Sequence, residues 1–179
     1  MPRSHFPRVP PALRLAAGPL PPAPLGAMLG LLVRHLAREH PGILRRMGPH
    51  AGRSFLIDPT DLPFLLLLRP ATGALSAHRR TWPPAHDARL AGPLAAFLAM
   101  LHGTEDGDAL FFSRDLTIEG DTEAVLALRN ALDDAEIDLT EELATVSGPL
   151  AAPLRRTLAL AERITGLALH RAEPTGDYT

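Results

Sequence analysis

Leu25, Met28, Leu29, Leu32, Val33 and Leu36 recur at the three- and four-residue spacing of one helix face, with Arg34, His35, Arg38 and Glu39 entering the polar side. This pattern predicts a helix over residues 25–39, stopped by Pro41 and Gly42. Gly26 and Gly30 stand four apart on it. In so short an apolar run they read as small residues for close packing rather than as a membrane dimerisation face. The period then changes. Phe55 and Ile57 alternate with Ser54 and Leu56, residues 58–60 read as a turn, and Phe64 to Leu68 is a continuous apolar run of buried-strand length. After a hairpin loop over 69–73 a strand returns over 74–80, and a fourth short strand fits 87–90. Gly92 and Pro93 open a helix whose apolar face is Leu94, Phe97, Leu98 and Leu101, and Gly103 closes it.

The longest alternation follows. Leu110, Phe112, Leu116 and Ile118 share one side of a predicted strand, and Ser113, Asp115, Thr117 and Glu119 take the other. Arg114 interrupts the row, at a bulge or at the mouth of a cavity. Gly120 ends the strand, and Asp121 is placed to cap a helix with apolar positions Val125, Leu126, Leu128 and Leu132. Beyond it the chain is helical and acidic. Asp138 and Glu141 resemble a capping box, and a second start at 147–149 precedes Leu150, Leu154, Leu158, Ala161 and Ile164. Seven prolines among the first 22 residues mark 1–23 as a flexible proline-rich arm, and 170–179 reads as a flexible tail. Between them, residues 24–169 have the length of a single domain with one core.

Composition sharpens this picture in three ways. Aromatics make up only 4% of the chain, and Trp82 and Tyr178 are the sole residues of their kinds, so the core is built from Leu and Ala with a few Phe. Cysteine is absent, which excludes disulfides, thiolate metal sites, iron–sulfur ligation and a cysteine nucleophile. The net charge of −2 hides a strong asymmetry. Residues 1–100 carry 12 Arg against 4 acids, and residues 101–179 carry 6 Arg against 16 acids. A segregated basic half would favour anionic phospholipid or an acidic partner, whereas interleaved halves would cancel. The apolar runs at 23–33 and 62–68 are too short to cross a bilayer, and the early prolines break a signal-peptide helix. The expectation is a cytoplasmic protein with peripheral association at the inner membrane.

The residues offer little for catalysis. His5, His35, His40, His50, His78, His86, His102 and His170 are scattered, without the spacing of a zinc motif. Asp133, Asp134, Glu136, Asp138, Glu141 and Glu142 lack the glycine and terminal glutamate of a calcium loop, and read as a solvated face or a docking surface for a basic partner. Ser76 and Ser113 have no identifiable partners in the sequence, and no nucleophile elbow, phosphate loop or dinucleotide fingerprint is present. The arginines are not interleaved with aromatics, which argues against nucleic acid. No enzyme, metal or cofactor is expected.

Two consecutive stretches carry a resemblance: HDARLAGPLAAFLAMLHG at 86–103 and GDALFFSRDLTIEGDTEAVLALRNALDDAEID at 107–138. Their order of short strand, Gly-Pro-opened helix, loop, strand and Gly-Asp helix start resembles the sterol carrier protein type two (SCP2) domain. Within that superfamily the wording is most similar to the UbiT group of bacterial ubiquinone biosynthesis accessory factors. The resemblance implies an α+β fold, with a five-stranded, mostly antiparallel sheet covered by helices and an apolar cavity between the layers. It places a lipid site at Leu94, Phe97, Leu98, Leu101, Leu110, Phe112, Leu116, Ile118, Val125, Leu128 and Leu132, with His102 and Arg114 as head-group contacts. By physical chemistry alone the same residues make an equally good core.

The implied role is a non-catalytic lipid carrier in oxygen-independent ubiquinone synthesis. Its ligand would be a polyprenyl phenol or quinone precursor, or a phospholipid, and its partners two U32-peptidase-like iron–sulfur proteins. The alternatives are a general phospholipid or fatty-acyl carrier, or a scaffold of the biosynthetic enzymes that transfers no lipid. A cavity below about 300 Å³, the lower end of usual ligand pockets, would favour the scaffold.

Overall fold

Five strands pair in the order β3-β2-β1-β4-β5. In the computed structural model, which describes residues 6–102, 115–135, 142 and 145, these are β1 (Phe55–Pro59), β2 (Phe64–Arg69), β3 (Ala74–Arg79), β4 (Ala88–Gly92) and β5 (Thr117–Gly120). Three of the four pairings are antiparallel, and β1 runs parallel to β4 with Phe55 opposite Ala88 and Pro59 opposite Gly92. The β2–β3 hairpin lies between β1 and β4 in sequence, and it serves as the crossover that lets them align.

Five α-helices are found among the described residues: α1 (Pro11–Ala17), α2 (Pro22–Glu39), α3 (Gly42–Met47), α4 (Leu94–His102) and α5 (Thr122–Asp133). Residues 6–20 fall in the stretch expected to be an arm, and they carry α1. They are also tied down. The Val9 N–H donates to Asp61 at 2.9 Å, and Phe6 and Val9 pack against Ala95 and Leu98 of α4.

Each predicted element among the described residues has a counterpart, and the differences are local. Residues 58 and 59, expected in a turn, continue β1 and are buried, because parallel pairing with β4 extends through Pro59. Leu126, expected on the apolar face of its helix, is 50% exposed, since Ala124, Val125, Leu128 and Ala131 form the face that α5 turns inward. Asp121 caps α5 as predicted, accepting the Ala124 N–H at 2.9 Å. The early part of the strand expected from Leu110, and the acidic helices beyond 135, lie outside the described residues.

The main core lies between the sheet and α3, α4 and α5. Met47, Phe55, Ala88, Leu90, Ala96, Leu116 and Val125 are all buried there. Side chains alternate across the sheet, so Leu56, Leu65 and Leu67 form a separate buried cluster on the opposite face.

Candidate functional site

Two glycines determine how α2 lies on the sheet. A Cβ on Gly26 would stand 2.7 Å from the Ala77 backbone nitrogen, and one on Gly30 would stand 3.0 Å from the Leu75 carbonyl oxygen. Without side chains at these positions, α2 settles directly on the backbone of β3. This lays Leu29, Leu32, Val33 and Leu36 opposite Leu66, Leu68 and Leu75 of the sheet. At the other side, Asp61 fixes the start of α4 by accepting the Leu94 N–H at 2.9 Å. That helix contributes Leu94, Phe97, Leu98, Met100 and Leu101. The capped α5 brings Leu128 and Leu132, and α3 brings Ile43 and Leu44.

These residues enclose a cavity of about 240 Å³. Its lining consists of aliphatic side chains, two prolines, one methionine and the single aromatic Phe97, with no charged or hydroxyl side chain among them. Such a space rewards hydrocarbon removed from water at about 25 cal/mol per Å² and gives no directional hold on a polar group.

Of the residues that the sequence singled out, Leu94, Phe97, Leu98, Leu101, Leu128 and Leu132 line this cavity. Leu116 and Val125 are instead buried in the packed core, and Ile118 packs at its edge. Leu110, Phe112, Arg114 and the His102 side chain lie outside the described residues. The lining residues expected from the sequence did not include those of α2, α3 and strands β1, β2 and β3. The unbroken run from Phe64 to Leu68 conceals which of its residues face the helices, and only pairing with β1 and β3 separates Leu66 and Leu68 from Leu65 and Leu67.

The polar chemistry lies on the other face of the sheet. Asp58, 1% exposed, meets Arg80 at 2.6 Å through Oδ1 and Arg89 at 2.5 Å through Oδ2, and Arg89 continues to Glu119 at 3.0 Å. Burial pushes the Asp58 carboxyl up, but the hydrogen bonds and charges of Arg89 and Arg80 outweigh it and hold the group below its ordinary value. Arg89 is shifted upward in turn, first by Asp58 and then by Glu119. Ser76, for which the sequence offered no partner, has one: its Oγ shares a 2.8 Å hydrogen bond with His78 Nε2, two residues along the same strand. The pair is opposite Leu67 and Leu65, on the face away from the cavity.

Part of the acidic cluster is absorbed within the chain. Asp134 pairs with Arg46, Asp133 with Arg129 at 3.3 Å, and Glu142 receives His35 and His40 at 3.1 Å each. Arg46–Asp134, Arg53–Asp121 at 3.2 Å and Arg89–Glu119 each join the basic half of the chain to the acidic half.

A mixed five-stranded sheet, helices over one face and a hydrocarbon-lined cavity between them define the class: an α+β protein shaped to enclose an apolar group. The chain belongs to the SCP-2 sterol transfer family, whose sequence profile matches residues 33–133. A solved structure described as UbiJ-SCP2 ubiquinone synthesis protein has the same fold, with a TM-score of 0.53 at 18% identity over 65% of this chain and 96% of that one. Sterol carrier protein 2 of Yarrowia lipolytica in its apo form gives a TM-score of 0.43 at 13% identity, over 63% and 92%. The sterol carrier protein domain 2 of Helicoverpa armigera gives 0.43 at 11%, over 62% and 85%. No curated protein sequence matches the chain.

Proposed function

We propose that the protein is a non-catalytic lipid-binding accessory factor of oxygen-independent ubiquinone biosynthesis. It takes the hydrocarbon tail of an isoprenoid quinone precursor into the cavity between α2, α4, α5 and the sheet, and leaves the ring outside for soluble hydroxylating enzymes. The observation that carries the lipid reading is the lining itself, which has no polar side chain among the described residues and is reached by hydrophobic residues from α2, α3, α4, α5 and the sheet. Membership of the SCP-2 sterol transfer family supports it. The pathway rests on the resemblance of residues 86–138 to ubiquinone accessory factors and on the fold shared with a ubiquinone synthesis protein. The partners in this reading are two U32-peptidase-like iron–sulfur proteins, and the setting is the cytoplasm beside the inner membrane.

One observation favours a second reading. At about 240 Å³ the cavity falls short of the roughly 300 Å³ at which usual ligand pockets begin. A scaffold filled by its own side chains would need no more space than this. Mass spectrometry of organic extracts from the purified full chain separates the two. A co-purifying polyprenyl phenol is the expected result, and its loss in a cavity-filling Leu68→Trp variant that still folds would tie it to this site. Phospholipid alone would make the protein a general lipid carrier. Protein that stays free of lipid even after incubation with polyprenyl phenols would sink the carrier reading in favour of the scaffold.

A further inference from the structure

The three most exposed large apolar side chains among the described residues are Trp82 at 86%, Leu15 at 79% and Leu20 at 64%. They come from distant parts of the sequence, yet one hydrogen bond draws them to a single corner. Arg79, the last residue of β3, donates through Nη1 to the carbonyl of Gly18, which closes α1, at 3.1 Å. Trp82 follows Arg79 in a tight turn in which its N–H bonds back to the Arg79 carbonyl, and Leu15 and Leu20 stand within three residues of Gly18. Isolated exposed leucines need no explanation. The only tryptophan of the chain, exposed beside two exposed leucines at a tethered corner, calls for one.

Arg14 and Arg79 give this corner positive charge. The described segments that meet there, 10–20 and 79–86, hold Arg14, Arg79 and Arg80 and no acid. Of the arginines of the first half, Arg46, Arg53, Arg80 and Arg89 meet carboxylates. At the corner, Arg14 and Arg79 have no carboxylate partner among the described residues. Both of these arginines are exposed, and their charge faces solvent. Neither helix at the corner suits a crossing. No single described helix is long and apolar enough to span a membrane, and α1 and α2 reach that hydropathy only as a pair bent by 101°. A short, bent, apolar and basic segment fits the plane of an interface instead.

We propose that this corner is a docking surface for an anionic lipid bilayer, with Trp82, Leu15 and Leu20 entering the headgroup region and Arg14 and Arg79 meeting lipid phosphates. Tryptophan suits that depth because its ring is apolar and its N–H is polar. The inference is independent of the cavity and stands whether or not the cavity holds lipid.

Trp82 supplies its own probe, since no other tryptophan contributes to the emission. The full chain is mixed with vesicles of phosphatidylcholine, with and without phosphatidylglycerol. The expected result is a blue shift of the emission, and quenching by acyl-chain bromines, with phosphatidylglycerol only and reversed by high salt. Arg14→Gln weakens vesicle affinity about fivefold. The exposed double variant Leu15→Glu/Leu20→Glu abolishes the shift while its circular dichroism and its extracted lipid content stay those of the unaltered chain. Unshifted emission with phosphatidylglycerol vesicles overturns the proposal, as does an equal shift with both vesicle types. Capture of a soluble protein by this corner without any vesicle binding overturns it too, and assigns the surface to a protein partner.

Discussion

Asp58 and Arg89 meet at 2.5 Å on the face of the sheet turned away from the cavity, and the carboxylate is almost wholly buried while the arginine is one-third exposed. Arg80 closes on the other carboxylate oxygen and also donates to the carbonyls of Leu62 at 2.9 Å and Pro59 at 2.5 Å. One buried acid thus fastens adjacent strands β1 and β4 to the turn after β1 and the end of β3. Asp58→Asn keeps the shape but leaves two guanidinium groups facing a neutral amide. The expected loss is about 2–4 kcal/mol, near the lower part of the range for breaking a buried pair because both arginines reach water. Urea unfolding followed by far-ultraviolet circular dichroism checks it, and a loss below about 0.5 kcal/mol would mean that solvent compensates the pair.

The same pair sets a pH dependence whose sign follows from the direction of the shift. The folded-state pKa of Asp58 lies below its ordinary 3.8 despite burial. A group depressed in this way contributes stability that is fully present above its unfolded value and is lost as pH falls through the folded one. Asp87 is shifted the same way, chiefly by the Ser54 hydroxyl at 2.6 Å and the Ser54 N–H at 2.7 Å. Stability should therefore decline below about pH 4 and gain nothing from these groups above about pH 5. In Asp58→Asn the decline becomes shallower. An unchanged acid limb in that variant would assign the transition to other carboxylates.

Gly26 meets β3 where a side chain has no room. Valine there must displace either the Ala77 backbone or α2 itself, since the contact at 2.7 Å is to a main-chain nitrogen rather than to a flexible side-chain end. Gly26→Val should destabilise the fold by about 1–3 kcal/mol through overpacking, and Gly42→Ala, with open space around it, should not. Thermal unfolding of the two variants side by side tests the contrast. Equal midpoints would show that α2 is not held by this contact.

The amphipathic stripe of α2, the Pro93 start of α4, the Asp121 cap and the β2–β3 hairpin were all legible in the sequence, because each is written within a few adjacent residues. The parallel pairing of β1 with β4 was not, since it joins Phe55 to Ala88 across an intervening hairpin and leaves no local period. The proline density that marked residues 1–23 as an arm also concealed α1: Pro11 and Pro22 sit in first turns, where a missing N–H costs no intrahelical bond. For the cavity, periodicity identified which residues of α4 and α5 turn inward but could not separate lining from core. Val125 and Leu128 lie three apart on one face, and only Leu128 borders the space. That distinction depends on what stands opposite, and so on the whole fold. The paired cluster of Leu56, Leu65 and Leu67 behind the sheet was hidden for the same reason.

The cavity lining makes a quantitative claim about ligands. With no polar side chain among the described lining residues to hold a head group, affinity should follow the tail alone. Each methylene moved from water into the cavity is worth about 0.8 kcal/mol, so the dissociation constant should fall about fourfold per added carbon along a series of straight-chain alcohols. The gain must stop once about 240 Å³ is filled, unless α2 and α4 spread to admit more chain. At fixed tail length, exchanging alcohol for carboxylate should change little. Bound ligand at about 100 times its dissociation constant adds about 2.7 kcal/mol to stability. At about 2–4 °C per kcal/mol for a chain of this size, the unfolding midpoint of delipidated protein should rise by roughly 5–10 °C. Thermal shift across the series reads slope and plateau together. A slope near zero would mean that the cavity is closed core, and a strong head-group preference would point to polar contacts beyond the lining described for this cavity.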